Sequence, residues 1–166
     1  MNQRQRQNHE KVIYRSHLHG ELPLISAFIT SVFDEFIGPG YDPRGREEFL
    51  DYIHPAAIAY RLKRKQHFLR VATIEEQIVG MLEMRNYNHV SLLFVDGKFQ
   101  RQGIGRILLS QGISLCLEKN PNLSNITVHS DPKAATAYFA MGFRTIGDER
   151  TENGITYIPM QYTLNN

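Results

Sequence analysis

The stretch from residue 89 to residue 129 restricts the fold more than any other part of the sequence. The apolar run HVSLLFV ends at Val95, glycines follow at Gly103 and Gly105, and a helical apolar pattern then runs to Pro121. A short apolar run, NITVH, comes next. Two strands that flank a helix are expected to lie parallel and to be joined by a right-handed crossover. The sequence therefore predicts a strand–helix–strand unit within a sheet of mixed direction.

The other strands are expected to be antiparallel. HFLRVATI, IVGMLEMR and HVSLLFV are separated only by EEQ and NYN, which are links of hairpin length. KVIYRSHL predicts a first strand, while FRTIGDER and GITYIPMQYTL predict a last pair joined at TENG. With the helices included, the predicted order is β-α-α-βββ-α-β-α-ββ. This order makes an α/β (α+β) domain with a mostly antiparallel sheet of about seven strands and about four helices.

The predicted helices begin and end at recognisable residues. The stretch from Glu21 to about Phe36 carries apolar residues every four positions, and REEFLDYIHPAAIAYRLKRK is helical with a break at Pro55. Between them, glycine and proline recur in IGPGYDPRG, which predicts an irregular loop. In DPKAATAYFAMG we expect Asp131 as the N-cap, Pro132 at the first helical position and Gly142 at the end.

Composition excludes several classes of protein. The net charge of +2 at pH 7 is too weak and too scattered for a nucleic-acid-binding stripe, and no apolar run approaches the roughly 18 residues that span a bilayer. Cys116, the one cysteine, suits a reducing compartment and lies on an apolar helix face. The histidines include no pair at a zinc-protease spacing. We expect one domain at 11–166 after a flexible tail at 1–10, in a cytoplasmic monomer or homodimer without metal, membrane or nucleic-acid partner.

The glycines between Gln100 and Arg106 favour an anion site. The N-terminus of a helix has unpaired N–H groups and a partial positive charge, and a glycine lets a phosphate approach them without meeting a Cβ. A nucleotide-triphosphate loop needs Gly-Lys-Ser/Thr, but Arg106 and Ile107 follow Gly105. A dinucleotide fingerprint needs a third glycine or alanine where Leu108 stands. A tight turn without any ligand remains the alternative.

The segment Gln100-Arg101-Gln102-Gly103-Ile104-Gly105 resembles the acetyl-CoA signature Gln/Arg-x-x-Gly-x-Gly/Ala of the GNAT N-acetyltransferase superfamily. DPKAATAYFAMGF resembles the second signature of that family, which usually reads Asn-Pro-x-Ala and ends in Tyr-x-x-x-Gly-Phe. The element order is also similar over about residues 11–164. The resemblance implies a twisted, mostly antiparallel sheet with a splayed parallel pair of central strands. It also implies acetyl transfer from acetyl-CoA to a primary amine.

For acetyl-CoA as co-substrate, the resemblance implies a site at the splayed strands and the glycine loop. Backbone groups of Phe94 and Val95 would pair with the pantetheine arm, and the N–H groups from Gln102 to Arg106 would hold the pyrophosphate. Lys98 and the loop arginines are candidates for the other phosphate. Asp131 replaces the usual asparagine, which puts the pantetheine contact of that side chain in doubt. The expected cofactor-binding residues are Phe94, Val95, Gln100, Arg101, Gln102, Gly103, Ile104, Gly105, Arg106, Asp131 and Ala134.

Catalytic roles follow from the same resemblance. Tyr138 stands at the family's tyrosine position, where its hydroxyl would protonate the leaving thiolate. His89 stands where histone-modifying relatives carry a catalytic glutamate, and it is the first candidate for the general base; Glu83 and His129 are lesser ones. The N–H of Phe94 is the expected oxyanion donor. The implied reaction is direct transfer in a ternary complex, without an acyl-enzyme.

The sequence does not name the acceptor, a small-molecule amine or a peptide or protein amine. It would bind in a groove walled by the first helices, the GPGYDPRG loop and the last hairpin, with Tyr41, Asp42 and Arg44 as candidate contacts. Asp42 suits a cationic amine, whereas Arg44 suits a carboxylate. Polyamines, amino acids, antibiotics, peptide N-termini and lysine side chains all remain open. Two other functions also remain open: a non-catalytic acyl-CoA-binding or sensing domain, and an RNA- or ribosome-associated role through the basic tail.

Overall fold

Eight strands form one mixed sheet in the computed structural model, which describes residues 11–165. The expected flexible tail, residues 1–10, lies outside the described residues. Across the sheet the strand order is β1-β2-β3-β4-β5-β8-β6, and β7 pairs with β8. In chain order the strands are β1 (Ile13–Ser16), β2 (Phe68–Ile74), β3 (Gln77–Arg85), β4 (His89–Val95), β5 (Asn125–Ser130), β6 (Arg144–Thr145), β7 (Arg150–Glu152) and β8 (Ile155–Thr163).

Helices cover both faces of the sheet. The buried side chains form two clusters, one with α1–α3 and the other with α4 and α5. Neighbouring strand residues such as Met81 and Leu82 belong to different clusters, as the alternation of side chains along a strand requires. Within residues 11–165 the helices are α1 (Leu22–Phe36), α2 (Pro43–Tyr52), α3 (Pro55–Leu62), α4 (Ile104–Lys119) and α5 (Ala135–Ala140), with 3-10 helices at Gly38–Gly40 and Gly97–Phe99.

The parallel strands β4 and β5 are paired over two residues only. His89 is opposite Thr127 and Val90 is opposite Val128, and beyond these pairs the two strands part. All other pairings in the described sheet are antiparallel. The predicted fold class, with a splayed parallel pair inside a mostly antiparallel sheet, is therefore confirmed.

A β-bulge interrupts β4 where the strands part. Glu83 is opposite Leu92 and Met84 is opposite Val90, so Ser91 has no partner on β3. An extra residue in one strand re-aims the side chains that follow it. Leu92 accordingly packs on the α1–α3 side, although Val90, two residues earlier, packs on the α4 side.

Three local predictions are wrong in detail. The segment IGPGYDPRG is not one irregular loop, because a 3-10 helix follows α1 and α2 already begins at Pro43. FRTIGDER forms two short strands, β6 and β7, instead of one. Neither Asp131 nor Pro132 starts α5: the Asp131 Oδ1 accepts a hydrogen bond from the N–H of Lys133 at 2.8 Å in a turn, and the helix begins at Ala135.

A close contact between α2 and the turn before β8 predicts an unusual response to alanine. A Cβ built on Gly45 would overlap the carbonyl oxygen of Gly154, and one built on Gly154 would lie 2.6 Å from the amide nitrogen of Gly45. Alanine is ordinarily better than glycine inside a helix by up to about 1 kcal/mol. We nevertheless expect Gly45→Ala to lower the free energy of unfolding, measured by urea denaturation, by about 1–3 kcal/mol, because one backbone must move.

Gly40→Ala is the matched control for this substitution. A Cβ at Gly40 would meet the end of the Lys133 side chain, 2.8 Å from Nζ, and that exposed side chain can move away. The free energy of unfolding of this variant should stay within about 0.5 kcal/mol of the wild type. An equally small change for Gly45→Ala would mean that the two backbones do not constrain each other.

Candidate active site

A cavity of about 260 Å³ opens where β4 and β5 part. Its lining contains these residues that the sequence singled out: Tyr41, His89, Phe94, His129, Asp131, Ala134 and Tyr138. A second cavity adjoins it, and its lining includes Tyr41, Asp42 and Asp131. Arg44 lines neither cavity; it is exposed, and its Nη2 donates to Oδ1 of Asn153 at 3.4 Å. The structure therefore brings most of the predicted catalytic and acceptor residues together and places Arg44 apart from them.

The glycine loop, residues 100–106, lies between the end of β4 and the start of α4. Gly103 is the N-cap of α4 with a φ of +86°, a left-handed backbone that glycine adopts at low cost. No side chain among the described residues caps the helix, so the N–H groups of its first turn are open to an anion. At Gly105 an added Cβ would lie 3.5 Å from Val95, which is an ordinary contact. The fold therefore requires glycine at position 103 but not at position 105.

The two glutamines of the loop hold its shape. The Nε2 of Gln100 donates to the carbonyl oxygen of Val95 at 3.0 Å, which fastens the loop to the end of β4. The Nε2 of Gln102 donates to the carbonyl oxygen of Lys98 at 3.5 Å. The sequence motif predicted that Gln100 belongs to the site. The hydrogen bond from Gln100 to Val95 gives a physical reason for a glutamine at this position.

Three cations surround the loop in different environments. Arg106 ties α4 to α5, because its Nη2 donates to the carbonyl oxygen of Ala140 at 3.0 Å. Arg101 and Lys98 are exposed, and Arg101 has a positive φ of +61°. Within residues 11–165, Arg106 is therefore the one of the three phosphate candidates whose side chain donates a hydrogen bond to the protein.

Backbone alternation decides which N–H groups of β4 face the gap. The N–H of Asp96 donates to the carbonyl oxygen of Val79 on β3 at 2.9 Å. Successive N–H groups of a strand point to opposite sides, so the N–H of Phe94 also points towards β3, while those of Leu93 and Val95 point into the gap. The N–H of Phe94, the expected oxyanion donor, therefore does not face the gap, whereas the N–H of Leu93 does, and Leu93 also lines the cavity. The direction of these N–H groups follows from the register between β4 and β3, which cannot be read from the sequence.

Tyr138 reaches the cavity from a firmly held position on α5. Its ring meets Phe143 edge-on at a centroid distance of 5.4 Å, and its carbonyl oxygen accepts from the N–H of Phe143 at 3.0 Å. Gly142, with a φ of +102°, ends the helix as predicted. Burial raises the pKa of the Tyr138 hydroxyl above its usual value of about 10. The hydroxyl therefore stays protonated at neutral pH and can act as a donor.

His89 lies at the closed end of the gap between β4 and β5. Its Nδ1 and the Oγ1 of Thr127 are hydrogen-bonded at 2.7 Å, which leaves Nε2 for a ligand. Burial lowers the pKa of His89 to about 3, and the charge of Arg85 and the neighbouring His129 add to the effect. The imidazole is therefore neutral at physiological pH, and its pKa lies far below the value that suits a general base.

The two lesser base candidates have different surroundings. Glu83 is fully buried, and Arg61 binds both its carboxylate oxygens, with Nη2 to Oε1 at 3.0 Å and Nε to Oε2 at 3.1 Å. His129 is exposed beside the cavity and stacks on Tyr157 at a centroid distance of 4.2 Å. Partial burial lowers its pKa, as does Arg85. Glu83 is thus committed to an ion pair, while His129 is a neutral ring at the rim.

Tyr41 and Asp131 meet where the two cavities adjoin. Burial raises the pKa of Tyr41 to about 12, and the Asp131 carboxylate contributes to the rise. The Tyr41 ring packs edge-on against Phe33 at a centroid distance of 5.0 Å. This wall of the cavity therefore presents a neutral phenol beside a carboxylate.

Other kinds of site are not found in the described range. Residues 11–165 contain no group of three or more His, Cys, Asp or Glu side chains that could hold a metal ion. Across the same residues, no helix combines the length and the apolar character that crossing a membrane demands. Cys116 is buried on α4 outside the cavity lining, and burial raises the pKa of its thiol to about 12. Its thiol is therefore a core group.

Comparison with known proteins agrees with this geometry. The family model described as acetyltransferase (GNAT) domain matches residues 37–164. A comparison with curated proteins gives no match. A GCN5-related N-acetyltransferase from Rhodopseudomonas palustris shares the fold with a TM-score of 0.78 and 18% identity, over 92% of this chain and 95% of that one. The PaiA N-acetyltransferase from Thermoplasma acidophilum, in complex with coenzyme A, has a TM-score of 0.78 and 12% identity, over 93% and 99%.

A third solved structure of the same fold is an enzyme named for an alanine of a ribosomal protein. The ribosomal-protein-S18-alanine N-acetyltransferase from Escherichia coli has a TM-score of 0.62 and 17% identity, over 92% of this chain and 94% of that one. At such identities the solved structures show the fold, whereas the family model spans the glycine loop and the cavity-bearing sheet from β2 to β8. The chain belongs to the GNAT acetyltransferase family and is an acyltransferase.

Proposed function

We propose that the chain transfers the acetyl group of acetyl-CoA to a primary amine, which attacks the thioester directly in a ternary complex. The observation that carries the proposal is the cavity at the splayed strands. It places backbone N–H groups that have lost their strand partner beside a protonated phenol and an acceptor wall of aromatic side chains. The coenzyme A bound by the Thermoplasma neighbour supports the choice of co-substrate.

The glycine loop and the gap suit coenzyme A. The first turn of α4 offers N–H groups to a pyrophosphate, and Gly105 keeps a Cβ out of its way. The N–H group of Val95 would pair with the pantetheine arm as an added strand would, which leaves that of Leu93 for the acetyl end. Asp131 and Ala134 line the opposite wall of the gap. When bound, acetyl-CoA supplies the acetyl group and a thiol leaving group.

Three groups of this chain would manage the charges and protons of the transfer. A nitrogen–carbon bond forms and the carbon–sulfur bond breaks, so one proton leaves the nitrogen and one must reach the sulfur. The Leu93 N–H would stabilise the oxyanion, and the Tyr138 hydroxyl would donate to the sulfur. The Nε2 of His89 would orient the amine, whose proton passes to water because the lowered pKa makes His89 a weak base.

Direct attack is favoured over an acyl-enzyme by the position of the one thiol. Cys116 packs in the core with Leu108 and Leu109 of α4, away from the cavity lining. A thiol whose pKa is raised to about 12 by burial holds almost no thiolate at neutral pH. Cys116 therefore offers no thiolate for an acyl-enzyme, which favours attack by the acceptor amine itself.

Two alanine substitutions distinguish the two interpretations of the glycine loop, a tight turn and a phosphate-binding site. Gly103→Ala puts a Cβ on a left-handed backbone, so the free energy of unfolding should fall by about 1–2 kcal/mol. Gly105→Ala should keep or slightly raise stability, since it meets one ordinary contact inside a helix. It should still weaken CoA binding, measured by isothermal titration calorimetry, at least about tenfold, the worth of one charge-assisted hydrogen bond. Unchanged CoA affinity in a stable Gly105→Ala protein would reduce the motif to a turn.

Removing the hydroxyl of Tyr138 distinguishes a catalytic acetyltransferase from a domain that only binds acyl-CoA. Tyr138→Phe should bind acetyl-CoA normally but release free thiol about 10²–10⁴-fold more slowly, since it loses the proton donor. Tyr162→Phe is the matched control, because Tyr162 packs on the same Phe143 at 5.6 Å and is outside the cavity lining. Binding of acetyl-CoA by the wild type without thiol release in a broad amine panel would favour a sensing domain.

The neutral state of His89 predicts how stability depends on pH. The unfolded chain binds a proton at this residue below about pH 6.5, whereas the folded protein binds it only near pH 3. Protons therefore favour the unfolded state in this window, and stability falls as the pH falls from about 6.5 towards 3. In His89→Gln the loss should be smaller by up to about 1.4 kcal/mol per pH unit, measured by urea unfolding at pH 7 and pH 5. Identical pH dependence in both proteins would contradict the lowered pKa.

A further inference from the structure

Arg85 is a cation without a carboxylate partner on the cavity lining. It is the last residue of β3, lies opposite His89 and is partly buried. Within residues 11–165, Arg85 takes part in no ion pair. The ion pairs in that range are Arg15–Glu21, Arg46–Asp34 and Arg61–Glu83. A guanidinium offers five N–H donors in a planar fork whose geometry matches a carboxylate.

The neighbouring carboxylate is taken by another arginine. Glu83 lies two residues before Arg85 on the same face of β3, but Arg61 of α3 binds both its oxygens. Arg61 is fixed there, since its Nη1 donates to the carbonyl oxygen of Tyr52 at 2.7 Å and its guanidinium lies 3.7 Å from the centre of the Tyr52 ring. The ion pair therefore leaves the charge of Arg85 unbalanced at the cavity.

The other titratable groups near Arg85 form no ion pair with it within residues 11–165, and these include Glu48 and Asp131, the two carboxylates on the cavity lining. His67 lies just before β2, His89 lies on β4 and His129 on β5, and for each of them burial and the charge of Arg85 lower the pKa. All three imidazoles are therefore neutral. The Glu152 carboxylate near His129 accepts a hydrogen bond from the Tyr157 hydroxyl at 3.0 Å and is outside the cavity lining.

A second polar group without a partner lines the same cavity as Arg85. The Oγ of Ser91 is buried, lines the same cavity and has no hydrogen-bond partner among the described residues. Ser91 is the bulged residue of β4, two positions after His89, which is the partner of Arg85 on β4. Because both residues line the cavity, a polar ligand group bound there would give the buried hydroxyl a partner and the guanidinium an anion.

We propose that Arg85 binds the carboxylate of the acceptor, and that the acceptor is an amino acid with an apolar side chain. The inference rests on the proposed function and names its substrate class. One guanidinium matches a monoanionic carboxylate through two parallel hydrogen bonds. Phe33, Phe49 and Ile155, which line the same cavity, suit an apolar side chain. A polyamine would place a cation against Arg85 and is disfavoured.

Matched pairs of acceptors test the inference. Leucine and phenylalanine are compared with leucinamide and phenylalaninamide, which keep the amine and the side chain but lack the carboxylate. In the wild type, kcat/KM from free-thiol release should be at least about tenfold higher for each amino acid than for its amide. Arg85→Gln should remove this preference and leave the KM for acetyl-CoA unchanged. Arg85→Lys should keep part of it, since the charge remains but the fork is lost.

Arg64→Gln is the matched control, because Arg64 is an exposed arginine near His67 that does not line the cavity. It should retain the full preference. Equal or better turnover of the amides or of spermidine by the wild type, or a preference that survives Arg85→Gln, would overturn the inference. If no amine is acetylated, the proposed function fails separately. The inference is then decided by thermal unfolding with CoA present: leucine should raise the melting temperature of the wild type but not of Arg85→Gln, and no shift contradicts it.

Discussion

The parting of β4 from β5 after Val90 is the constraint on which the site depends. Each strand is stabilised from its other side, β4 by β3 and β5 by β8 over six residue pairs, so the gap stays open without any ligand. Beyond Val90, the backbone N–H groups of Leu93 and Val95 lose the partner that a neighbouring strand would give. A buried unpaired N–H costs about 1–3 kcal/mol. A ligand with peptide-like amides, such as a pantetheine arm, is the natural replacement for the missing strand.

The bulge at Ser91 determines which β4 side chains face each side of the sheet. Leu92 and Phe94 turn towards α1–α3, where aromatic rings line the cavity, while Leu93 and Val95 pack against the α4 side. The glycine loop and Tyr138 belong to that second side. A co-substrate held by α4 and an acceptor held by α1–α3 would therefore approach the same stretch of β4 from opposite layers, as direct transfer between them requires.

Local sequence patterns predicted the features that depend on neighbouring residues alone, namely the helices, the strands and the start of α4. Apolar periodicity located the long helices and strands, and the signature around Gly103 located the unpaired helix N-terminus. Asp131 failed as a predicted cap because aspartate favours an Asx turn as readily as an N-cap, and here the turn to Lys133 won. Leu93 was missed because the direction of an N–H depends on strand register. Arg85 was missed because the sequence does not show which carboxylates are already paired, and here Arg61 takes the neighbouring Glu83.

The lack of an ion pair at Arg85 depends on Arg61, a residue of α3. A buried ion pair adds little net stability, since the cost of removing two charges from water offsets their attraction. Glu83 is fully buried, so without Arg61 its carboxylate would need another cation, and Arg85 on the same face of β3 is the nearest along the strand. By occupying both oxygens of Glu83 and stacking on Tyr52, Arg61 keeps Arg85 directed to the cavity. In this interpretation the ion pair contributes more to the choice of acceptor than to the stability of the fold.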